Sequence, residues 1–339
     1  MHRRRFLSSA LTTAALGVGG VWPGRRAAAQ AGRPRVVVYR DTTLPTLGAE
    51  AATPRIKELV HTTVQQALRA AAPQAAWQSL FKSEDVVAVK LNCMSQPHVP
   101  HPAVLEAIVE GLGTAGVPPE QVIAYDKEDR DLISAGYTLN RDGPGVRVYG
   151  TLGGDGAPGY SEHFTLKGTT SFKLSQIVTT QATAIINVPV VKDHFYAGLT
   201  GALKNHFGSI HNPEDFHFLN HCDPAIADVN RTGDIQGKQR LVICDAVNVQ
   251  YNGGPSYEPT SMYPYGGIIA STDPVAVDAE LEVLLRDLRD QFGLPSLEDD
   301  GRPPVHIKTA ADRHLGCADV DQIELLAMDL TPPTPEAGE

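Results

Sequence analysis

From Lys192 to Asp223 the chain reads KDHFYAGLTGALKNHFGSIHNPEDFHFLNHCD, which gathers side chains able to move protons, hold anions or bind metal. Of the twelve histidines in the chain, His194, His206, His211, His217 and His221 fall here. Imidazole is the side chain whose charge changes near neutral pH, so His194 is a candidate acid–base group. Lys192 and Lys204 are interleaved with these histidines. A lysine is costly to bury without partners. In the segment TGALKNHFG, Lys204 is therefore a candidate anion binder, cofactor anchor or activated amine, with Asn205 beside it and Lys192 a further binding group. The alternative is an exposed lysine on a helix. Asn212-Pro213 has the form of a cap followed by a first helical residue. A helix beyond it would carry Glu214, His217 and His221 on one face. With His211 just before it, that stripe is compatible with ligation of a transition metal by imidazole and carboxylate. Each histidine alone is equally compatible with a surface or hydrogen-bonded core role. Gly198, Gly201 and Gly208 would allow the backbone to approach a ligand closely.

The elements that must position these groups are legible as alternating patterns. Strand-like apolar runs occur at 36–39, 86–91, 122–125, 146–149, 184–190, 241–244 and 267–271, several of them continuous, as in strands buried on both faces. Helical patterns lie between them at 55–72, at 102–115 behind Pro102, and from Pro274 to about 292, with Asp273 as N-cap. This alternation predicts an α/β fold: a layered, largely parallel sheet with flanking helices, in two lobes around a cleft. The expected division is a first lobe over 32–190, the His-rich segment and second lobe over 191–266, and a return to the first lobe over 267–330. In such sheets, sites form beyond the carboxyl ends of the strands. There the sequence places Asn92 and Cys93, the acidic set containing Asp126 and Asp129, the Lys192–His194 group, and Asp245. Asn92 is a candidate binding residue. Asp126 and Asp129 are candidate acid–base groups, or else only a solvated helix start.

The 339 residues carry a formal net charge of −10 at pH 7, which argues against nucleic acid or an anionic membrane surface as the main partner. None of Cys93, Cys222, Cys244 and Cys317 forms a C-x-x-C pair, so a self-contained iron–sulfur cluster is not expected. The first residues have the layout of a signal peptide. Arg3-Arg4-Arg5-Phe6-Leu7 is followed by a short apolar run and by Ala29-Gln30-Ala31, a small-x-small cleavage pattern. Paired arginines favour the twin-arginine route, which exports folded proteins to the periplasm or beyond, with the translocase as a transient partner. An uncleaved N-terminal anchor is the alternative, although the run is too short and polar for a good membrane span. Residues 331–339, TPPTPEAGE, predict a disordered tail.

Two resemblances follow from the motifs. VAVKLN at 87–92, AYD at 124–126, NVPVVKDH at 187–194, GLTGALKNHFG at 198–208 and STDPVAVD at 271–278 together resemble the family numbered 362 among the domains of unknown function. The likeness spans about residues 35–330 and implies no activity. More distantly, His194, Ala197, Gly198, Gly201 and Lys204, followed by Asn220-His221, are similar to the nickel-pincer lactate racemase family. That likeness implies an acid–base role for His194, a pyridinium-derived cofactor on Lys204 and a nickel ligand at His221. Gly201-Ala202-Leu203 stands where that family has Gly-Gly-Arg, and no histidine occurs in 125–130, where its other acid–base histidine would fall.

The leading expectation is an exported enzyme acting on a small anionic or hydroxylated substrate in a His/Lys cleft, with or without a metal. The alternatives are a non-catalytic metal- or ligand-binding envelope protein and a scaffold whose histidines are only hydrogen-bonded.

Overall fold

The computed structural model describes residues 32–218 and 220–330. The expected signal peptide and C-terminal tail lie outside the described residues. In chain order the strands are β1 (Arg35–Arg40), β2 (Val87–Lys90), β3 (Val122–Tyr125), β4 (Arg147–Val148), β5 (Thr165–Lys167), β6 (Thr170–Phe172) and β7 (Ala184–Asn187). They continue with β8 (Val190–His194), β9 (Gly198–Thr200), β10 (Gln239–Gln250), β11 (Met262–Tyr263), β12 (Gly267–Ser271) and β13 (Glu324–Asp329). The helices are α1 (Ala49–Ala67), α2 (Pro73–Leu80), α3 (Pro102–Thr114), α4 (Asp129–Ser134) and α5 (Ala202–Asn205). After these come α6 (Glu214–His217), α7 (Ala225–Asn230), α8 (Gly233–Gln236), α9 (Pro274–Gln291) and α10 (Val305–Asp312).

Among the described residues, eleven strands join one sheet whose main path runs β13-β1-β12-β10-β7-β2-β3-β4. The β4-β3-β2-β7-β10 half is parallel throughout, and β12 turns antiparallel to both β10 and β1. The expected largely parallel, helix-flanked sheet is therefore present. The boundary drawn at 190/191 falls inside β8, which lies in the same sheet as the strands on either side of it.

Side chains alternate across each strand, and here both faces are covered. Val87, Val89, Val122, Ala124, Ala184 and Ile186 face a core shared with α1, α2 and α3. Ala88, Ile123, Tyr125 and Ile185 face the opposite core, shared with α5, α7, α9 and α10. The same alternation carries Lys90 and Asn187 to this second face. Lys90 is in register with both Tyr125 and Asn187, so three polar side chains line up at the carboxyl ends of adjacent parallel strands.

Local chemistry accounts for most boundaries. The Asp273 carboxylate accepts from the Val275 and Ala276 backbone N–H groups ahead of Pro274, which starts α9 as expected. The expected strand over 184–190 splits into β7 and β8 at Pro189, which lacks a ladder donor. Beyond it β10 continues to Gln250 and pairs with β8 after a register shift. The first helix covers Ala49–Ala67 rather than 55–72, because the Ala-rich start extends it upstream and Arg69, at φ 51°, ends it. The expected continuous helix carrying His217 and His221 does not form. It stops at His217, and Asn220, His221 and Cys222 take φ of 38°, 59° and 64°, a left-handed turn incompatible with α-helix.

Candidate functional site

At the sheet's second face, Lys90 Nζ donates to the Leu91 carbonyl at 2.5 Å and to Asp126 Oδ1 at 2.7 Å. Asp126 Oδ2 accepts the Cys93 N–H at 2.6 Å, and Oδ1 also accepts the Lys127 N–H at 2.8 Å. An amide chain runs outward from this pair. Asn205 Nδ2 donates to Asn187 Oδ1 at 2.8 Å, and Asn205 Oδ1 accepts from Asn92 Nδ2 at 3.0 Å. Asn92 Oδ1 in turn accepts from Lys192 Nζ at 3.1 Å. Sequence separations of about a hundred residues thus close into one network, and Asn92, Asp126, Lys192 and Asn205 are brought together.

Lys204 adjoins that network from α5. The Asp278 carboxylate holds this short helix, accepting the Ala202 and Leu203 N–H groups at 2.6 and 3.0 Å. Lys204 Nζ lies 3.2 Å from His217 Nε2 and over the Phe207 ring. His217 stacks on His194 at 5.4 Å between ring centroids. His194 Nδ1 accepts the Tyr196 and Ala197 N–H groups, both at 3.1 Å, which leaves its proton on Nε2. His221 Nδ1 meets the Tyr196 carbonyl at 3.1 Å and must donate to it. A cavity of about 550 Å³ opens beside this group, lined by Tyr196, His217, Phe218, His221, Asn252 and Arg302.

Burial sets the protonation states. Desolvation, with Lys204 and His217 nearby, holds His194 far below the ordinary imidazole range. Desolvation and Lys204 lower His217 to about 4. Both rings are therefore neutral at pH 7. Desolvation also brings Lys192 down to about 7, with Lys204 contributing repulsion, and Lys204 down to about 8. Among the described residues neither amine forms an ion pair, and Asp126 acts on Lys192, and Glu214 on Lys204, only at longer range.

Other candidates lie elsewhere. Asp129 accepts the Gly150 and Gly154 N–H groups and Arg141 Nη2, a loop tether rather than a member of this cluster. His211 Nδ1 accepts the Lys173 N–H, with its ring against Tyr160 and Phe164. The exposed Glu214 pairs with Lys127. No three His, Cys, Asp or Glu side chains gather to hold a metal among the described residues. His217 turns Nε2 to an ammonium, which repels a cation, so Glu214, His211, His217 and His221 do not fit a shared metal. The four cysteines, all within the described residues, are free. At Gly208 the close approach is to protein rather than ligand: a Cβ there would stand 2.6 Å from Lys90 Nζ.

Three groups were missed by the sequence reading. Lys90 sits in an apolar strand pattern, and only its alternation toward the second face could have flagged it. Arg302 binds the fully buried Asp193 at 2.5 Å and closes one wall of the cavity. His306, the second residue of α10, is wholly buried with neither ring nitrogen partnered. It is lowered to about 3 by desolvation and by Lys204.

The family model described as "Domain of unknown function (DUF362)" matches residues 87–281, more than half of the chain. The chain belongs to this family. The match includes Lys90, Asp126, Lys192, His194, Lys204 and His217, and it ends before Arg302 and His306. No curated protein matches the chain. A crystal structure of a Thermotoga maritima protein is similar at 13% identity and a TM-score of 0.43, covering 71% of this chain. The chain spans 59% of that protein's length.

Proposed function

We propose that the chain is an exported enzyme that binds a small anionic or hydroxylated molecule beside Lys204 and moves a proton at it through His194. The observation that carries this reading is the Lys204–His217–His194 contact: among the described residues the Lys204 ammonium has no ion pair, and it touches one of two stacked neutral imidazoles, of which His217 lines the cavity. An ammonium in a water-poor site attracts an oxyanion strongly, because the interaction is weakly screened. A bound anion raises the pKa of a neighbouring imidazole, which moves His194 from its depressed state toward the range in which it can take up a proton. The arginine pair at the N-terminus supports delivery by the twin-arginine route. Metal dependence is not part of the proposal.

Small 2-hydroxy and 2-keto acids incubated with the protein in D2O and followed by proton NMR test the reading. At least one should exchange its carbon-bound proton, and His194→Gln should slow that exchange by about 10²-fold or more. Failure of every acid both to bind and to exchange overturns the proposal. Fractionating host cells that express the full chain tests export: Arg3→Lys, Arg4→Lys and Arg5→Lys combined should retain the protein in the cytoplasm.

A further inference from the structure

We infer that the cavity beside His217 takes a sugar ring, whose hydroxyls meet Asn252, His217 and His221 while its C–H face rests on the wall formed by Phe195 and Phe218. The inference rests on the reading above for the location of the site, and it names the class of hydroxylated ligand.

The wall comes first. The cavity, of about 550 Å³, lies within the usual range of small-molecule sites. Phe195, Tyr196 and Phe218 line it, and Phe195 and Phe218 remain 66% and 77% exposed. Each of these two rings leans on Tyr196, at 5.0 Å between centroids. Apolar surface kept open in a concave, polar-rimmed place marks a binding surface. The neighbouring rings meet edge to face, at 88° and 67°, so they form no parallel slot for a flat heteroaromatic. The negative face of a single aromatic ring suits the C–H bonds of a saturated ring. The Phe195 N–H donates to the Gly254 carbonyl at 2.9 Å, which ties this wall to the loop that carries Asn252.

The polar groups decide the ligand class. The charges of the lining cancel, because Arg302 pairs with Asp300 at 2.7 Å and is held further by the buried Asp193. What the cavity offers is neutral groups of fixed role. Asn252 Oδ1 accepts from Arg289 Nη1 at 3.1 Å and from Arg302 Nη2 at 3.2 Å, which leaves the amide Nδ2 as a donor. His217 Nε2 faces the Lys204 ammonium, so the neutral ring carries its proton on Nδ1, a second donor. His221 Nδ1 gives its proton to the Tyr196 carbonyl, and Nε2 of the neutral ring is left as an acceptor. Among the described residues none of these three atoms has a hydrogen-bond partner. His221 is aimed from the left-handed turn Asn220–Cys222, and backbone strain of this kind is kept where a side chain must be placed for a ligand.

A hydroxyl both donates and accepts, so a polyol can meet all three groups at once. An aryl group meets none of them and would leave each without the hydrogen bond it makes to water. A simple polyol chain lacks the firm C–H face that the exposed rings would cover. A sugar ring has both features.

Ligand-observed saturation-transfer NMR on the purified protein tests the inference, with the methyl glycosides of glucose, galactose, mannose and N-acetylglucosamine, and with adenosine and benzyl alcohol as flat-ring probes. At least one glycoside should bind saturably, with the strongest transfer to the C–H protons of one ring face. Phe195→Ala combined with Phe218→Ala should weaken it by about tenfold, and both positions are exposed enough to tolerate the change. Asn252→Asp keeps the oxygen that accepts from Arg289 and Arg302 but replaces the donor, so it should weaken binding by about fivefold or more with folding unchanged by circular dichroism. Glycoside affinity that both variants leave unchanged places the sugar elsewhere and overturns the inference. Adenosine or benzyl alcohol binding more tightly than every glycoside overturns the sugar in favour of a flat ring. Absence of glycoside binding also overturns it, while exchange of a 2-hydroxy acid in D2O by the same preparation would leave the reading beneath it standing.

Discussion

Two halves of one buried network differ in how their charges are met. In the half at the ends of β2 and β3, Lys90 and Asp126 satisfy each other, and the remaining carboxylate capacity goes to backbone N–H groups. Gly208 packs against the pair so closely that no side chain fits. In the half formed by β8 and α5, Lys192 and Lys204 hydrogen-bond only to neutral partners among the described residues, and the imidazoles of His194 and His217 are held neutral by burial. The first half is complete without a ligand. The second carries an electrostatic cost that the rest of the molecule must support, and such unmet cost is characteristic of a functional site.

The largest effect should come from breaking the complete half. Lys90→Met leaves Asp126 buried without its counter-charge, and urea unfolding should show a loss of about 3–5 kcal/mol. A loss below about 1 kcal/mol would mean that the two halves do not differ as described. An opposite and smaller effect is expected from Lys204→Met, which removes a buried charge lacking a counter-ion. At pH 7 it should stabilise the apo protein by on the order of 1–3 kcal/mol. The sign reverses the usual lysine pattern. The folded pKa, about 8, lies below the unfolded value of 10.5, so the unfolded chain binds more protons between these limits. Wild-type stability should therefore climb with pH across that window and the advantage of Lys204→Met should shrink, as checked by chemical denaturation at several pH values. A flat difference would falsify the assignment of Lys204 as an uncompensated buried cation. The smallest effect should be His211→Ala, which removes only an acceptor for the Lys173 N–H, outside both halves. A loss of about 0.5–1.5 kcal/mol with unchanged proton exchange in D2O is expected, and altered exchange would extend the site toward α6.

Much of the framework was legible because its signals are local. The continuous apolar runs identified the buried strands of the parallel half, and Asp273-Pro274 marked the start of α9. The cluster over 192–223 led to Lys192, His194, Lys204 and His217, which the fold does bring together. It misled at His211, Glu214 and the shared helical face of His217 and His221. Helical spacing assumes continued α geometry, and the left-handed residues Asn220–Cys222 break it. Asp126 and Asp129 looked alike in sequence, three positions apart. Only Asp126 enters the network, while Asp129 serves the loop at 150–154.

The sequence by itself determined the alternation of strands and helices, the two-sided burial of the central strands and the segment in which site chemistry is concentrated. These follow from periodicity and from the chemistry of Pro, Asp and His over a few residues. Tertiary structure alone decided which charges are compensated. Sheet order and register put Lys90 beside Asp126 and Asn187 and bring Asn92 to Lys192. The protonation and partnering of a buried group depend on what surrounds it in space, and those surroundings come from residues far apart along the chain.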